Sequence, residues 1–527
     1  MFKNFNALTI TYLKSSNSDL KPRLLGEVEI PCLESSEDFC EGCTILTEDP
    51  LITFPRFDDF HRGNLCVGCC EAIRGSLVPC EDCQLPMCGQ DCEKLSLHKN
   101  FDCKIFALQL MSQVVGSSHR STKKYRKQLY LLVSVFRCIS LKSLDVEKWK
   151  LIEKLMTIPT MDEKVTCLSS LDSLDCVGEV LLTTKQILEA KTHGAYLPLE
   201  TPPGHEEMVR VADTFVSLMC VLLKFGLCFW PENLGNGMMS LLYTSGRIPH
   251  DCNPNSVGVM DSYGAVKLVA ASNFNKGTQV TIARHFSHSL WFIQGYHYRQ
   301  TALGQQFLTH EHCSMCFNCG DNNSGISCIK CTYCKQAYMI PMDSKMICIG
   351  CNRHVSASNI GSKLFKAIKF YEYYYSQKNL DSYEKLAKDI FDLENSLSPH
   401  HFVVIALKTL YVKQIHLFKS TTDEFLKLVL KFGDQILSVL SSVLTGLSYY
   451  KGVISFCLHY AHEAYLERVS QSDLVSYHWN HMRKYMVEID RNWCWRLSHT
   501  TLEEEREYRA MLATHYEKGI CSLPSPD

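Results

Sequence analysis

The chain has 527 residues, 46% hydrophobic and 21% charged, and 54 Lys and Arg against 56 Asp and Glu give a formal net charge of −2. That length exceeds a single hydrophobic core and predicts roughly two to four domains. The even charge balance excludes a global electrostatic case for nucleic-acid binding, leaving only a local basic patch to consider.

The opening MFKNFNALTITYLK lacks a basic n-region, a sustained apolar run and a small-residue cleavage site, so no signal peptide is expected. Gly42 to Ile52 reads as a turn followed by a strand with a break at Pro50. Eight metal-type ligands follow: Cys66-x2-Cys69, Cys80-x2-Cys83, Cys88-x3-Cys92, His98 and Cys103. A Cys-x2-Cys knuckle aims two thiolates at one tetrahedral ion, and four half-sites in this order suit two interleaved zinc sites. So short a segment buries little core, so metal must supply its folding free energy. The competing reading is a disulfide cluster or a set of buried thiols.

From Cys103 to about residue 240 the periodicity is mostly helical, with Leu129 to Phe136 as the buried part of one helix and Thr201-Pro202-Pro203-Gly204 as a loop. The apolar stretch Val211 to Trp230 contains Asp213 and Lys224. It reads as a buried helix and not as a membrane span. Short strands are predicted at Val257–Met260, Val266–Val269 and Gln279–Ile282, with turns at Asp261–Gly264 and Asn275–Gly277.

Two further cysteine groups come next. Cys313-x2-Cys316-x2-Cys319 needs a fourth ligand, for which Cys252 is the candidate, and Cys331-x2-Cys334 with Cys348-x2-Cys351 has the form of a zinc ribbon. These sites use 15 of the 28 cysteines; the others, among them Cys70, Cys138 and Cys220, read as small core residues or loop thiols. Thiols held for metal suit a reducing compartment, so cytoplasm, nucleus or both is expected. Beyond about residue 356 the chain reads as helical. Leu364, Ile368, Tyr371 and Tyr375 share one face, and Ser398-Pro399 supplies a cap and a first-turn proline ahead of Phe402 to Leu410.

The order of these motifs resembles the SET-and-MYND-domain family of protein-lysine methyltransferases, most closely its divergent arthropod branch. Cys66 to Cys103 resembles the MYND zinc finger, although His98-x4-Cys103 is one residue longer than the usual spacing. Gly42 to Ile52 resembles the strand that precedes the finger, and Pro249-His250-Asp251-Cys252-Asn253-Pro254-Asn255 resembles the N-H-S-C-x-P-N motif. Lys276 to Ile282 resembles the K-G-E-E-L-T-I strand, and Cys313 to Cys319 the post-SET zinc site completed by Cys252. The resemblance implies an α+β multidomain fold. Its parts are an N-terminal SET portion (1–60), the finger (61–104), a helical insert (105–240), a C-terminal SET portion (241–290), a cysteine-rich post-SET region (291–355) and a tetratricopeptide-like helical domain (356–527).

It further implies S-adenosylmethionine as cofactor beside Zn²⁺, and an in-line transfer of methyl to a neutral lysine amine. Proximity and alignment supply much of the rate of such a transfer. On the matching positions, His250 and Asn255 would contact the cofactor, and Tyr296 and Tyr298 are the candidate catalytic tyrosines, Trp291 occupying the place of a family tyrosine. Three departures weigh against transfer: Pro249 replaces the cofactor-contacting Asn, Arg284 stands at the catalytic tyrosine position, and the glycine-rich cofactor loop has only Gly26-Glu27-Val28 as a counterpart. A guanidinium facing a sulfonium and a lysine raises the barrier by like-charge repulsion.

Two functions follow. One is a protein-lysine methyltransferase acting on histone or non-histone proteins, with a role in transcriptional regulation. The alternative is a catalytically weakened or inactive scaffold that binds proline-containing partner peptides through its finger. Either would be a monomer without membrane association. Direct DNA contact by the finger is opposed by Glu71, Glu81, Asp82, Asp91 and Glu93 against Arg74, Lys94 and Lys99.

Overall fold

The computed structural model describes residues 2–3, 8–13, 30–57, 64–73, 78–95, 98–107, 123–160, 205–228, 237–261, 263–284, 324–342, 345–356, 361–376, 383–416, 422–468 and 472–493, with residues 163–164, 295–296, 299, 313 and 315. It is a mixed helix-and-sheet molecule with a helical C-terminal region. Its strands are β1 (Phe2–Lys3), β2 (Leu8–Leu13), β3 (Ile30–Ser35), β4 (Thr44–Glu48), β5 (Ile52–Pro55), β6 (Val78–Pro79), β7 (Pro86–Met87), β8 (Gly226–Leu227), β9 (Met238–Leu241), β10 (Ser256–Met260), β11 (Val266–Ala270), β12 (Ile329–Lys330), β13 (Tyr338–Met342), β14 (Lys345–Cys348) and β15 (His354–Ser356). All pair antiparallel.

Pro50 divides the 42–52 segment into β4 and β5, and the two halves join different sheets. β4 lies between β1 and β11 in the order β1-β4-β11-β10, whereas β5 heads the order β5-β9-β8. β4 is covered on both faces, since the consecutive residues Ile45 and Leu46 are both buried, in a core with Val266, Leu268, Val280 and Ile282. Glu48 at its end is buried, and its carboxylate accepts from Thr244 N and Ser245 N at 2.7 and 2.8 Å. This holds the segment that enters Pro249–Asn255. The expected strand at 279–282 is reduced to bridges, Glu34 to Gln279 and His250 to Ile282. Ser256 and Asn255 take several of its backbone groups instead, Thr281 O accepting from Ser256 Oγ at 2.6 Å and Thr281 N donating to Asn255 Oδ1 at 2.8 Å.

Besides short helical turns such as Gln90–Glu93, His98–Asp102 and Cys103–Phe106, the helices among the described residues are α1 (Lys123–Leu144), α2 (Val146–Met156), α3 (His205–Phe225), α4 (Gly361–Ser376), α5 (Tyr383–Glu394), α6 (Phe402–Lys413), α7 (Asp423–Val443), α8 (Tyr449–Leu466) and α9 (Ser472–Trp493). Leu129 to Phe136 of α1 is wholly buried and packs with Phe215, Leu218 and Leu222 of α3 and with the 65–106 segment. α3 stops at Phe225, earlier than the apolar run suggests, because Gly226–Leu227 pairs with β9. None of the described helices is long and apolar enough to cross a membrane.

The cap of α6 is His401, whose side chain accepts from Val403 N. Ser398 Oγ instead accepts from His400 N at 3.1 Å, one turn too early to cap the helix. The helical region is tied to the sheets by Leu447 N donating to Ala271 O at 2.7 Å, by Thr445 N donating to Asn253 Oδ1 at 2.9 Å, and by a two-bond ion pair between Arg491 and Glu41.

Where α8 meets α9, His462 Nδ1 and His478 Nδ1 are 2.7 Å apart, and the His462 ring stacks on His481 and Tyr485. Burial pushes His462 down to about 3 from 6.5, so the folded state keeps it neutral. A depressed folded value means that the unfolded chain binds the extra proton, so this stability is present above about 6.5 and is lost as pH falls. Going from pH 7.5 to 5.5 should remove about 1.4 kcal/mol through His462. Chemical denaturation at the two pH values checks this: His462→Gln should show a smaller fall, and an equal fall would place the titration elsewhere.

Candidate metal centres

Four Cys-x2-Cys turns begin at Cys66, Cys80, Cys331 and Cys348. In each, the residue after the second cysteine donates its N–H to the carbonyl of the first: Cys70 to Cys66 at 2.8 Å, Gln84 to Cys80 at 3.0 Å, Lys335 to Cys331 at 3.1 Å and Asn352 to Cys348 at 3.0 Å. These same residues have φ of 62, 62, 58 and 58° and are the non-glycine residues of positive φ among those described. A left-handed residue costs about 1–2 kcal/mol. The repetition of that cost at four equivalent places is what a turn shaped to present two sulfurs requires. Gly68 and Gly350 sit before the second cysteine of their turns, where a Cβ would lie 2.7 Å from Cys92 O and 2.6 Å from Ala337 Cβ.

The ligand atoms gather into groups within 4.8 Å of one another: Cys66, Cys69, Cys88 and Cys92; Cys80, Cys83, His98 and Cys103; Cys331, Cys334, Cys348 and Cys351; and His250, Cys252 and Cys313. The first two groups alternate along the chain, so neither can fill without closing a loop over the other. Sulfur separations are 3.6 Å for Cys69–Cys88, 3.7 Å for Cys80–Cys103, 3.7 Å for Cys331–Cys351 and 3.7 Å for Cys334–Cys348. Bonds of about 2.3 Å to a tetrahedral zinc place two sulfurs about 3.8 Å apart, whereas a disulfide needs about 2.0 Å. The donor sets and spacings therefore fit zinc.

His98 shows how such a ligand is oriented. Its Nε2 lies 3.8 Å from Cys83 Sγ, and its Nδ1 lies 3.8 Å from Asp102 Oδ2. Asp102 in turn accepts from Arg137 Nε at 3.1 Å, and Arg137 also donates to Val67 O and Thr53 O at 2.7 and 3.0 Å. At 3.8 Å from Nδ1 the Asp102 carboxylate does not hydrogen-bond the ring, and His98 Nδ1 has no hydrogen-bond partner among the described residues.

Within a group the thiols cannot all ionise unaided. A hydrogen bond from Cys69 holds Cys66 down to about 4, while the same contact, with burial, pushes Cys69 far up. Burial likewise raises Cys92 and Cys103 to about 12. A divalent cation removes this conflict by pairing with every thiolate at once.

At the smallest group, His250 Nε2 is 3.2 Å from Cys252 Sγ, and Cys252 N donates to Cys313 Sγ at 3.3 Å. Burial lowers His250 and raises Asp251 to about 6. Cys316 and Cys319 lie outside the described residues, as do Tyr298, Trp291 and Gly26 to Val28. Asn255, the other expected cofactor contact, pairs its amide internally: Nδ2 donates to Gln279 O at 2.8 Å and Oδ1 accepts from Thr281 N at 2.8 Å. Tyr296 donates its backbone N–H to Ser327 Oγ at 2.7 Å. Cys252 and Cys313 lie together, as the missing fourth ligand of the Cys313 group predicts; His250 joins them as a donor-type side chain that this expectation did not include.

Arg284 is the most constrained residue nearby. Its guanidinium donates to Lys224 O at 2.7 Å, to Ile248 O at 2.8 Å and to Gly246 O, and its backbone N–H donates to His250 Nδ1 at 3.1 Å. Burial lowers it to about 10, so it stays charged at neutral pH. The Lys224 carbonyl belongs to the last turn of α3, where the helix dipole favours a cation.

Cys331→Ser should remove one zinc per chain, read by elemental analysis, and lower thermal stability; full metal retention would refute the assignment. Lys335→Gly relieves the left-handed strain of its turn and should raise stability by about 1 kcal/mol with metal content unchanged. Comparison of the chain with protein-family models and with curated proteins finds no match.

Proposed function

We propose that this protein is a zinc-stabilised scaffold of SET-and-MYND architecture that binds partner proteins and has lost methyl transfer. The observation that carries the reading is the clamp made by Arg284. At the place where the resemblance expects a catalytic tyrosine, a half-buried cation is tied to the carbonyls of residues 224, 246 and 248. S-adenosylmethionine brings a sulfonium, and a second positive charge there opposes both its binding and the approach of a lysine. Pro249 lacks the amide of the family Asn, and the amide of Asn255 is already paired to Gln279 and Thr281. The residues present therefore do not fit the cofactor.

The finger at Cys66 to Cys103 supports the binding role, because two interleaved zinc groups hold its surface independently of any catalytic pocket. By the family resemblance its partners are proline-containing peptides, in the cytoplasm or nucleus. The methyltransferase reading is favoured by one observation, the laying of His250 alongside Ile282 in a parallel bridge. That contact brings the motif and the family strand together.

Isothermal titration separates the two. S-adenosylmethionine should bind no tighter than about millimolar, and micromolar binding would restore the enzyme reading. Elemental analysis of the same sample should find about three or four zinc ions per chain, given four donors per structural ion. An Arg284→Tyr protein that methylates a lysine peptide would show that the guanidinium alone blocks an otherwise competent site.

A further inference from the structure

One pair of cysteines, Cys40 and Cys43, has the spacing of the zinc turns without their shape. Cys40-Glu41-Gly42-Cys43 closes with Cys43 N donating to Cys40 O at 3.0 Å, three residues along, whereas each zinc turn closes four residues along from its first cysteine. Its positive φ, 85°, falls on Gly42 between the two cysteines and not on the residue after them. That is the form of a β-turn with glycine at its third position. Both thiols are free and exposed, and neither belongs to a group of metal-type ligands among the described residues. The turn is also held from outside. Phe39 exchanges two backbone hydrogen bonds with Phe274, and Ala270 accepts from Gly42 N and donates to Cys43 O, at 2.9 Å each. At the tip, Glu41 N donates to Asn273 Oδ1 at 2.7 Å, and Arg491 of α9 grips the Glu41 carboxylate.

We infer that Cys40 and Cys43 are a redox-active dithiol, a modification site that low-molecular-weight disulfides oxidise to an internal bridge. A β-turn keeps its first and fourth Cα atoms within about 7 Å, and a disulfide spans about 4.4–6.8 Å between Cα atoms. Because both flanks of the turn are already clamped, closing the bridge costs little further ordering of the chain. The cysteines of the zinc turns are not free for this, since their sulfurs face further ligands from distant segments. In the reducing compartment proposed for this chain, disulfides that do form are mostly transient and redox-sensing. The step is thiol–disulfide exchange, which needs exposed sulfurs. The thiolate of one cysteine attacks a sulfur of the small disulfide, whose S–S bond breaks as one small thiolate leaves. The thiolate of the other cysteine then attacks the sulfur of the first, and the second small thiolate leaves. The protons given up by the two cysteines end on the two leaving thiolates. The dithiol is oxidised by two electrons, and the small disulfide is reduced to two thiols.

The test uses the zinc-loaded full chain, oxidised glutathione as the probe, and peptide mass spectrometry after alkylation of free thiols. Before oxidation both Cys40 and Cys43 should take up the alkylating agent. After oxidation the peptide carrying them should lose alkylation at both positions together and be lighter by two hydrogen atoms than its reduced, unalkylated form. Reduced glutathione should then restore alkylation. In Cys40→Ser and in Cys43→Ser the remaining thiol should instead keep one glutathione, because the second exchange has no attacking sulfur. Zinc per chain should be the same in the wild-type protein and in both variants. Protection of the two cysteines before oxidation, or less zinc in either variant, would make them metal ligands and overturn the inference. A glutathione adduct that persists on the wild-type turn, a bridge from either cysteine to a third, or full alkylation after oxidation would overturn it as well.

Discussion

Mutual repulsion among crowded thiolates, relieved by a shared dication, is the constraint on which the rest of the structure depends. Each cysteine group brings three or four donors within 4.8 Å, a separation at which several negative charges cannot coexist in a poorly hydrated site. The turns that hold them are left-handed at Cys70, Gln84, Lys335 and Asn352. A short polypeptide accepts such a conformation repeatedly only when something else binds the turns together. The sulfurs are also part of the packing. Cys66, Cys80 and Cys83 lie in the core shared with α1 and α3, and Cys331 and Cys348 lie in the core shared with the C-terminal helices. The candidate metal ligands and the hydrophobic packing therefore share two of the protein's cores.

Around the smallest group a different economy holds. Arg284 spends its guanidinium on carbonyls and its backbone N–H on a histidine, so one residue stitches the end of α3, the 246–248 turn and the motif at 249–255. Among the described residues no carboxylate pairs with this half-buried guanidinium, and taking it partly out of water is costly. Lys224, Gly246 and Ile248 supply enough dipole to keep it charged, the first of them from a helix C-terminus. The same cation that orders this corner makes it a poor receptacle for another positive centre. On the proposed reading, the order of this corner and the loss of methyl transfer have one physical source.

The zinc turns were legible because their signal is local. Two cysteines separated by two residues define a turn whatever surrounds them, and all four such turns in the described residues formed as the spacing implies. The break at Pro50, the hairpin at Asp261–Gly264 and the buried face of α1 were legible for the same reason. Failures occurred where a distant partner decided the outcome. Gln279–Ile282 has the alternation of a strand, but Asn255 and Ser256 compete for its backbone groups. Ser398-Pro399 has the composition of a helix start, but the His401 ring reaches the first turn of α6 instead. The approach of Cys313 to Cys252 was legible from the missing fourth ligand of its group, whereas no local spacing put the His250 ring within 4.8 Å of both sulfurs.

The Asp102–Arg137 pair carries a practical consequence. Arg137 rises from α1, outside the finger, and reaches Asp102 behind the His98 imidazole as well as the carbonyls of Val67 and Thr53. A fragment cut to end shortly after Cys103 would leave that carboxylate without its guanidinium and the imidazole without a firm backing. Such a fragment could still take up metal, yet its surface would be free to swivel in ways the whole chain forbids. Affinities measured on an excised finger would then describe a looser object than the one the protein displays.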